Sequence, residues 1–203
     1  MEYSMLIHKD FTVYEADNSV LWELAQFVVK ENISHHTSKD SDIKGKIQEL
    51  VYKVYKEETE LADRSKIFIV RNNTGDMVGS IRSTLWDRKA KLPMETLFGF
   101  NPLDCDFSKD ITKYWHIGRL AINKEASQYP KSILKTLINI VTAPIKKDPY
   151  GCLLAEVDRK LFNNLKALGI DAHQIAPSKQ YLASETIPIY SMSSDILISY
   201  KSS

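Results

Sequence analysis

A histidine and an arginine stand three residues apart in YWHIGRLAI, residues 114–122 of the 203-residue chain. An imidazole with an unperturbed pKa near ~6.5 can take a proton from an amine, directly or through a water, and an amine attacks a carbonyl only once that proton has gone. His116 is therefore a candidate base. The competing reading is a histidine satisfied by a carboxylate or a backbone carbonyl at the edge of the core. Arg119, and upstream Arg82, fall in β-rich runs, where a guanidinium is matched either to a carboxylate of its own chain or to an anion on a ligand. Strand alternation points His116 and Arg119 to opposite faces, and a bulge at Gly118 would bring them together.

Other chemistry-bearing residues are less organised. His35 and His36 are adjacent, so their rings diverge, and no further ligand spacing accompanies them; no metal is expected. Ser184 and Glu185 lack the Gly-x-Ser-x-Gly turn of a hydrolase nucleophile. Cys105 and Cys152 form no CxxC pair, which fits a reducing, cytoplasmic setting. Lys124, Lys131 and Ser132 flank Pro130 in NKEASQYPKS, a stretch without glycine that ends where a helix should begin. They suit an anion at a helix N-terminus, or equally a solvated lysine face.

The elements that must position these residues are legible in outline. Val20, Leu21, Leu24, Phe27 and Val28 make a helical stripe over 18–30, with Asn18 or Ser19 as cap, and Ile47, Leu50, Val51, Val54 and Tyr55 make a second over 47–61, with charges on the other face. The polar stretch 31–46 between them reads as a loop and a candidate lid. Asn72 to Asp76, around Gly75, separates two β-rich runs at 67–71 and 77–86, a hairpin signal. An irregular excursion over 87–111 carries Leu97, Phe98 and Phe100, which could cover an apolar site. After the strand that holds His116 come a helix over 131–143, a buried strand over 151–157, a short helix ending on Gly169, and a β-rich tail over 187–200. This is an α/β chain of one domain, 1–61 supplying helices and loop and 62–203 the sheet core. Twenty-seven basic and twenty-six acidic residues leave a formal charge of +1, so no global field recruits nucleic acid. The first residues lack a signal-peptide pattern and no run is long enough for a membrane span.

The order hairpin, strand, helix, strand, helix, strand resembles the GNAT acyltransferase fold. Within that group, VGSIRSTLWDRKAKLPMETLFG and YWHIGRLAI resemble the Gly-x-x-Arg and Glu-x-x-Arg strands of the acyl-homoserine-lactone (autoinducer) synthases, and 153–191 also resembles the long-chain N-acyl amino acid synthases. Two departures stand out: the N-terminal aromatic and acidic pattern that holds S-adenosylmethionine in the lactone synthases is absent, and His116 stands at the glutamate of Glu-x-x-Arg. The resemblance implies transfer of a fatty acyl group from a pantetheine thioester to the amine of a small acceptor such as an amino acid. It implies no tightly bound cofactor, with an acyl carrier protein or acyl-CoA as co-substrate and partner. His116 would be the base and Tyr181 a late proton donor for the departing thiolate. Arg82, Arg119, Trp86 and Phe98 would line the substrate pocket, Glu156 would be the structural partner of Arg119, and Lys124, Lys131 and Ser132 would meet the phosphopantetheine. Acetyl-CoA enzymes of this fold cradle pyrophosphate on a glycine-containing loop, and the missing glycines point away from them. A GNAT-like module that binds an acyl ligand or a protein without catalysis is the alternative, as is a conventional acetyl-CoA-dependent N-acetyltransferase.

Overall fold

The computed structural model describes residues 2–36, 41–181 and 184–197, which fall into two compact units, residues 1–82 with 119–137, and 83–118 with 138–203. In the first unit, β1 (Glu2–Ile7) and β2 (Phe11–Ala16) form an antiparallel hairpin, and β2 pairs in turn with β3 (Ser65–Asn72). The stripe expected on the first helix is buried: Val20, Leu21, Leu24, Phe27 and Val28 pack with Ile67 and Ile69 of β3. Helix α1 (Leu21–His36) buries Ala25 and Val29 against Val51 of α2 (Ser41–Leu61). Strand β4 (Met77–Trp86) follows a turn in which Asn72 Oδ1 accepts from the amides of Thr74 and Asp76, with Gly75 at φ 89°. That left-handed φ is why the turn needs glycine. Helix α4 begins at Pro130 and lies close on β4: a Cβ at Gly79 would sit 2.9 Å from Ile133 Cγ2.

Strand β5 (Lys113–Ile122) belongs to the second unit up to Gly118, and there it runs parallel to β6 (Gly151–Asp158), which is antiparallel to β9 (Ser184–Met192). The short β7 (His173–Gln174) and β8 (Lys179–Tyr181) pair with β9. Trp86, Leu92, Met94, Ile111, Tyr114, Cys152 and Leu154 form one core cluster, with Phe98 of α3 (Pro93–Phe98) and Phe100 packed on it. The sheet is mixed and nine-stranded, in the order β1-β2-β3-β4-β5-β6-β9-β7 with β8 on β9. Helices accompany it, so the architecture is α/β as expected.

Several expectations are corrected. The β1–β2 hairpin was not foreseen. The stretch read as a loop is helical at 31–36 and 41–46, while 37–40 lies outside the described residues. Helix α4 (Pro130–Lys146) runs through Pro144 instead of stopping at 143, because Val141 and Ile145, 1% and 0% exposed, share its buried stripe. Burying both side chains offsets the roughly 3 kcal/mol that an interior proline costs. The last strand starts at Ser184 and ends at Met192, and 198–200 of the expected tail lie outside the described residues. Helix α5 (Arg159–Leu165) and a following 3-10 turn do end on Gly169, at φ 80°.

Candidate active site

Strand β5 pairs with β6 only from Lys113↔Gly151 to Ile117↔Ala155. His116, 1% exposed, lies beside the end of that ladder, and its Nε2 is 2.9 Å from Oε2 of Glu156, the first β6 residue beyond it. Parallel strands put cross-strand neighbours on one face, so His116, Leu154 and Glu156 share the face of the Trp86–Tyr114–Cys152 cluster. Glu156 faces Pro188 in the β6–β9 ladder, and the Pro188 carbonyl accepts instead from the Ile175 amide at 2.9 Å. The backbone groups of one strand residue point to the same side, so the N–H and C=O of Glu156 turn away from β9. Glu156 was expected to brace Arg119; it pairs with His116.

Arg119 takes its carboxylates from α2. Its Nε donates to Glu58 Oε1 at 2.6 Å and its Nη2 to Glu57 Oε2 at 2.5 Å, while Arg82 Nη1 donates to the same Glu58 oxygen at 2.7 Å. Burial works against the Arg119 charge, but Glu58 and Glu57 more than offset it and raise the guanidinium above its ordinary pKa. Arg82 is 2% exposed, so the guanidinium matched by resemblance to a substrate position is held by a carboxylate of its own chain. The irregular backbone residue of β5 is Arg119, with φ 56°, and not Gly118. Ser80 Oγ donates to the Arg119 carbonyl at 2.8 Å and holds that left-handed residue in place.

The remaining candidates scatter. Trp86 is a core residue, 5% exposed, whose Nε1 donates to the Ala90 carbonyl and whose ring meets Tyr114 edge-on. Phe98 is half-buried, with Lys179 Nζ 5.8 Å from its ring. Tyr181 is half-buried at the end of β8, and β9 lies between that strand and β6. Lys124, Lys131 and Ser132 are exposed around the first turn of α4, which carries no acidic residue. The side chains of His35 and His36 lie outside the described residues. Two surface hollows, of about 180 Å³ beside Asp10 and Tyr129 and about 240 Å³ beside Lys91 and Phe100, are lined by none of these candidates. The residues that sequence reading passed over are Glu57 and Glu58.

No protein-family model and no curated protein matches the chain. Solved structures do match it. The acyl-homoserine-lactone synthase LasI superposes with a TM-score of 0.60 at 12% identity, over 98% of this chain and 100% of that one. FeeM, an N-acyl amino acid synthase from uncultured soil microbes, gives 0.56 at 14% identity, over 94% and 90%. An acetyltransferase of the GNAT family from Staphylococcus aureus Mu50 gives 0.51 at 14%, over 89% and 97%. The fold is the GNAT fold. In this GNAT fold β5 is the strand that resembled Glu-x-x-Arg, and His116 on it stands 2.9 Å from a carboxylate oxygen of Glu156.

Proposed function

We propose that the protein is an N-acyltransferase, which moves a fatty acyl group from a pantetheine thioester to the amine of a small acceptor such as an amino acid. The observation that carries this is the end of the β5–β6 ladder at Ile117↔Ala155, with the His116–Glu156 pair beside it. Beyond that point β6 keeps, among the described residues, only β9 as a ladder partner, and the backbone N–H and C=O of Glu156 are turned to the other side. An extended pantetheine arm carries amides that can pair with such an edge. The acceptor nitrogen attacks the thioester carbonyl, the His116–Glu156 pair takes its proton, the C–N bond forms and the C–S bond breaks. Likeness to solved N-acyl amino acid and acyl-homoserine-lactone synthases supports the reading.

The first turn of α4, with Lys124, Lys131 and Ser132, suits one phosphodiester better than a pyrophosphate, since no glycine allows close backbone approach. This favours an acyl carrier protein, or an acyl-CoA held differently, and such donors belong to the cytoplasm. Among the described residues no helix is long and apolar enough to cross a membrane. The burial of His116 favours the competing reading, a non-catalytic acyl-ligand binder. Purified protein incubated with acetyl-, octanoyl- and hexadecanoyl-CoA, and with the same groups on carrier protein, is expected to release thiol only with a suitable amine. Mass spectrometry of the product names donor and acceptor together. Thiol release at background with every donor would leave the binder.

A further inference from the structure

His116 and Glu156 are not equivalent. The His116 side chain is 2% exposed and that of Glu156 10%. One oxygen of Glu156 meets the imidazole at 2.9 Å. The other, Oε1, is buried with no hydrogen-bond partner among the described residues. Buried polar atoms are nearly always satisfied, and an unsatisfied carboxylate oxygen in a low-dielectric setting is a strong attractor for a cationic donor. It lies on the residue that opens the unshared edge of β6, opposite Pro188.

We infer that Glu156, not His116, is the catalytic residue that meets the acceptor, and that the acceptor arrives as a cationic amine whose ammonium docks on Oε1. This rests on the acyl-transfer reading. His116 is a positioning residue: in the tautomer that carries a proton on Nε2 it donates to Oε2 at 2.9 Å and orients the carboxylate. The ammonium gives one proton to Oε1 and gains a free lone pair. The nitrogen then bonds to the acyl carbon and the C–S bond breaks. The second nitrogen proton goes to the departing thiolate, and Glu156 returns its proton to solvent. The carboxylate that the Glu-x-x-Arg strand lacks is thus supplied from the neighbouring strand.

Glu156→Gln keeps the shape and the contact with His116 and removes a buried charge, so it is expected to fold. It should lower kcat by roughly 10²–10³-fold with little change in KM for the acyl donor. Glu156→Ala should be partly rescued by added formate, which a purely structural role would not allow. His116→Gln, which keeps an N–H donor to orient the carboxylate, should cost less than Glu156→Gln, at most about 10–100-fold in kcat. The inference is overturned if Glu156→Gln retains full kcat while His116→Gln abolishes it. Calorimetry with free amino acids and alkylamines separates this from failure of acyl transfer itself. A protein without turnover whose amine binding is lost in Glu156→Gln keeps the ammonium site and loses only the reaction. Amine binding that survives the substitution, or is absent from wild type, sinks the site.

Discussion

Glu58 places one oxygen between two guanidiniums at a position 1% exposed. With Glu57 it balances Arg82 and Arg119 charge for charge, which is what lets four ionised side chains gather in one unit. Glu58→Gln is expected to cost about 3–5 kcal/mol in urea unfolding, because two guanidiniums, that of Arg82 buried, lose the anion they share. Glu57, with its side chain 40% exposed, is solvent-screened, and Glu57→Gln should cost under about 1 kcal/mol. Equal losses would show that the Glu58 pairings carry no special weight. The cluster was partly legible: Glu58 stands seven residues after Val51 and three after Tyr55, on the stripe that marked α2 as amphipathic. A rule that turns every charge outward hid it. Glu156 was visible as a carboxylate in a buried strand, but which cation it meets depends on strand register, which one sequence does not encode.

At the scale of elements, local signals were read well and non-local ones poorly. The turn at Asn72–Asp76, the Gly169 cap and both N-terminal stripes are short-range patterns, and the structure holds them. The hairpin β1–β2 was missed although FTVYEA alternates, because only pairing with β3 turns that alternation into a strand, with Phe11 and Val13 buried. Close packing of α4 on β4 was likewise not readable, and it makes a prediction. Gly79→Ala puts a methyl 2.9 Å from Ile133 and 3.2 Å from Val70, so these side chains must give way, and a loss of about 1–3 kcal/mol in thermal unfolding is expected. A second tie joins α5 to β9: Arg159 donates to both oxygens of Glu185. That pair, with Ser178, holds the Glu185 carboxyl down at about 2, against an ordinary 4.5. A folded-state pKa below the unfolded one means that the stabilisation is complete above the ordinary value and is lost as pH falls through about 2. NMR titration should find Glu185 still ionised at pH 3.5 in wild type and largely protonated there in Arg159→Ala.

For the whole molecule, the relevant fact is where the two compact units meet in the chain: between Arg82 and Ser83, between Gly118 and Arg119, and between Leu137 and Ile138. These points fall inside β4, β5 and α4. Independent domains are divided at exposed linkers, where few structural bonds need breaking. Here separation would cut two strands and a helix mid-course. The chain is therefore expected to unfold in one cooperative step. Cys152 reports on the second unit: its thiol is fully buried in β6, and desolvation pushes its pKa up to about 12, so a thiol reagent reaches it only through opening. The β2–β3 ladder around Val13 and Val70 reports on the first. As urea increases, the free energy of opening from Cys152 labelling should fall in parallel with that from hydrogen exchange of the ladder amides and reach the same value at the transition. Cys152 labelling at a urea concentration that leaves the ladder fully protected would mean that the sheet-bearing chain behaves as two domains.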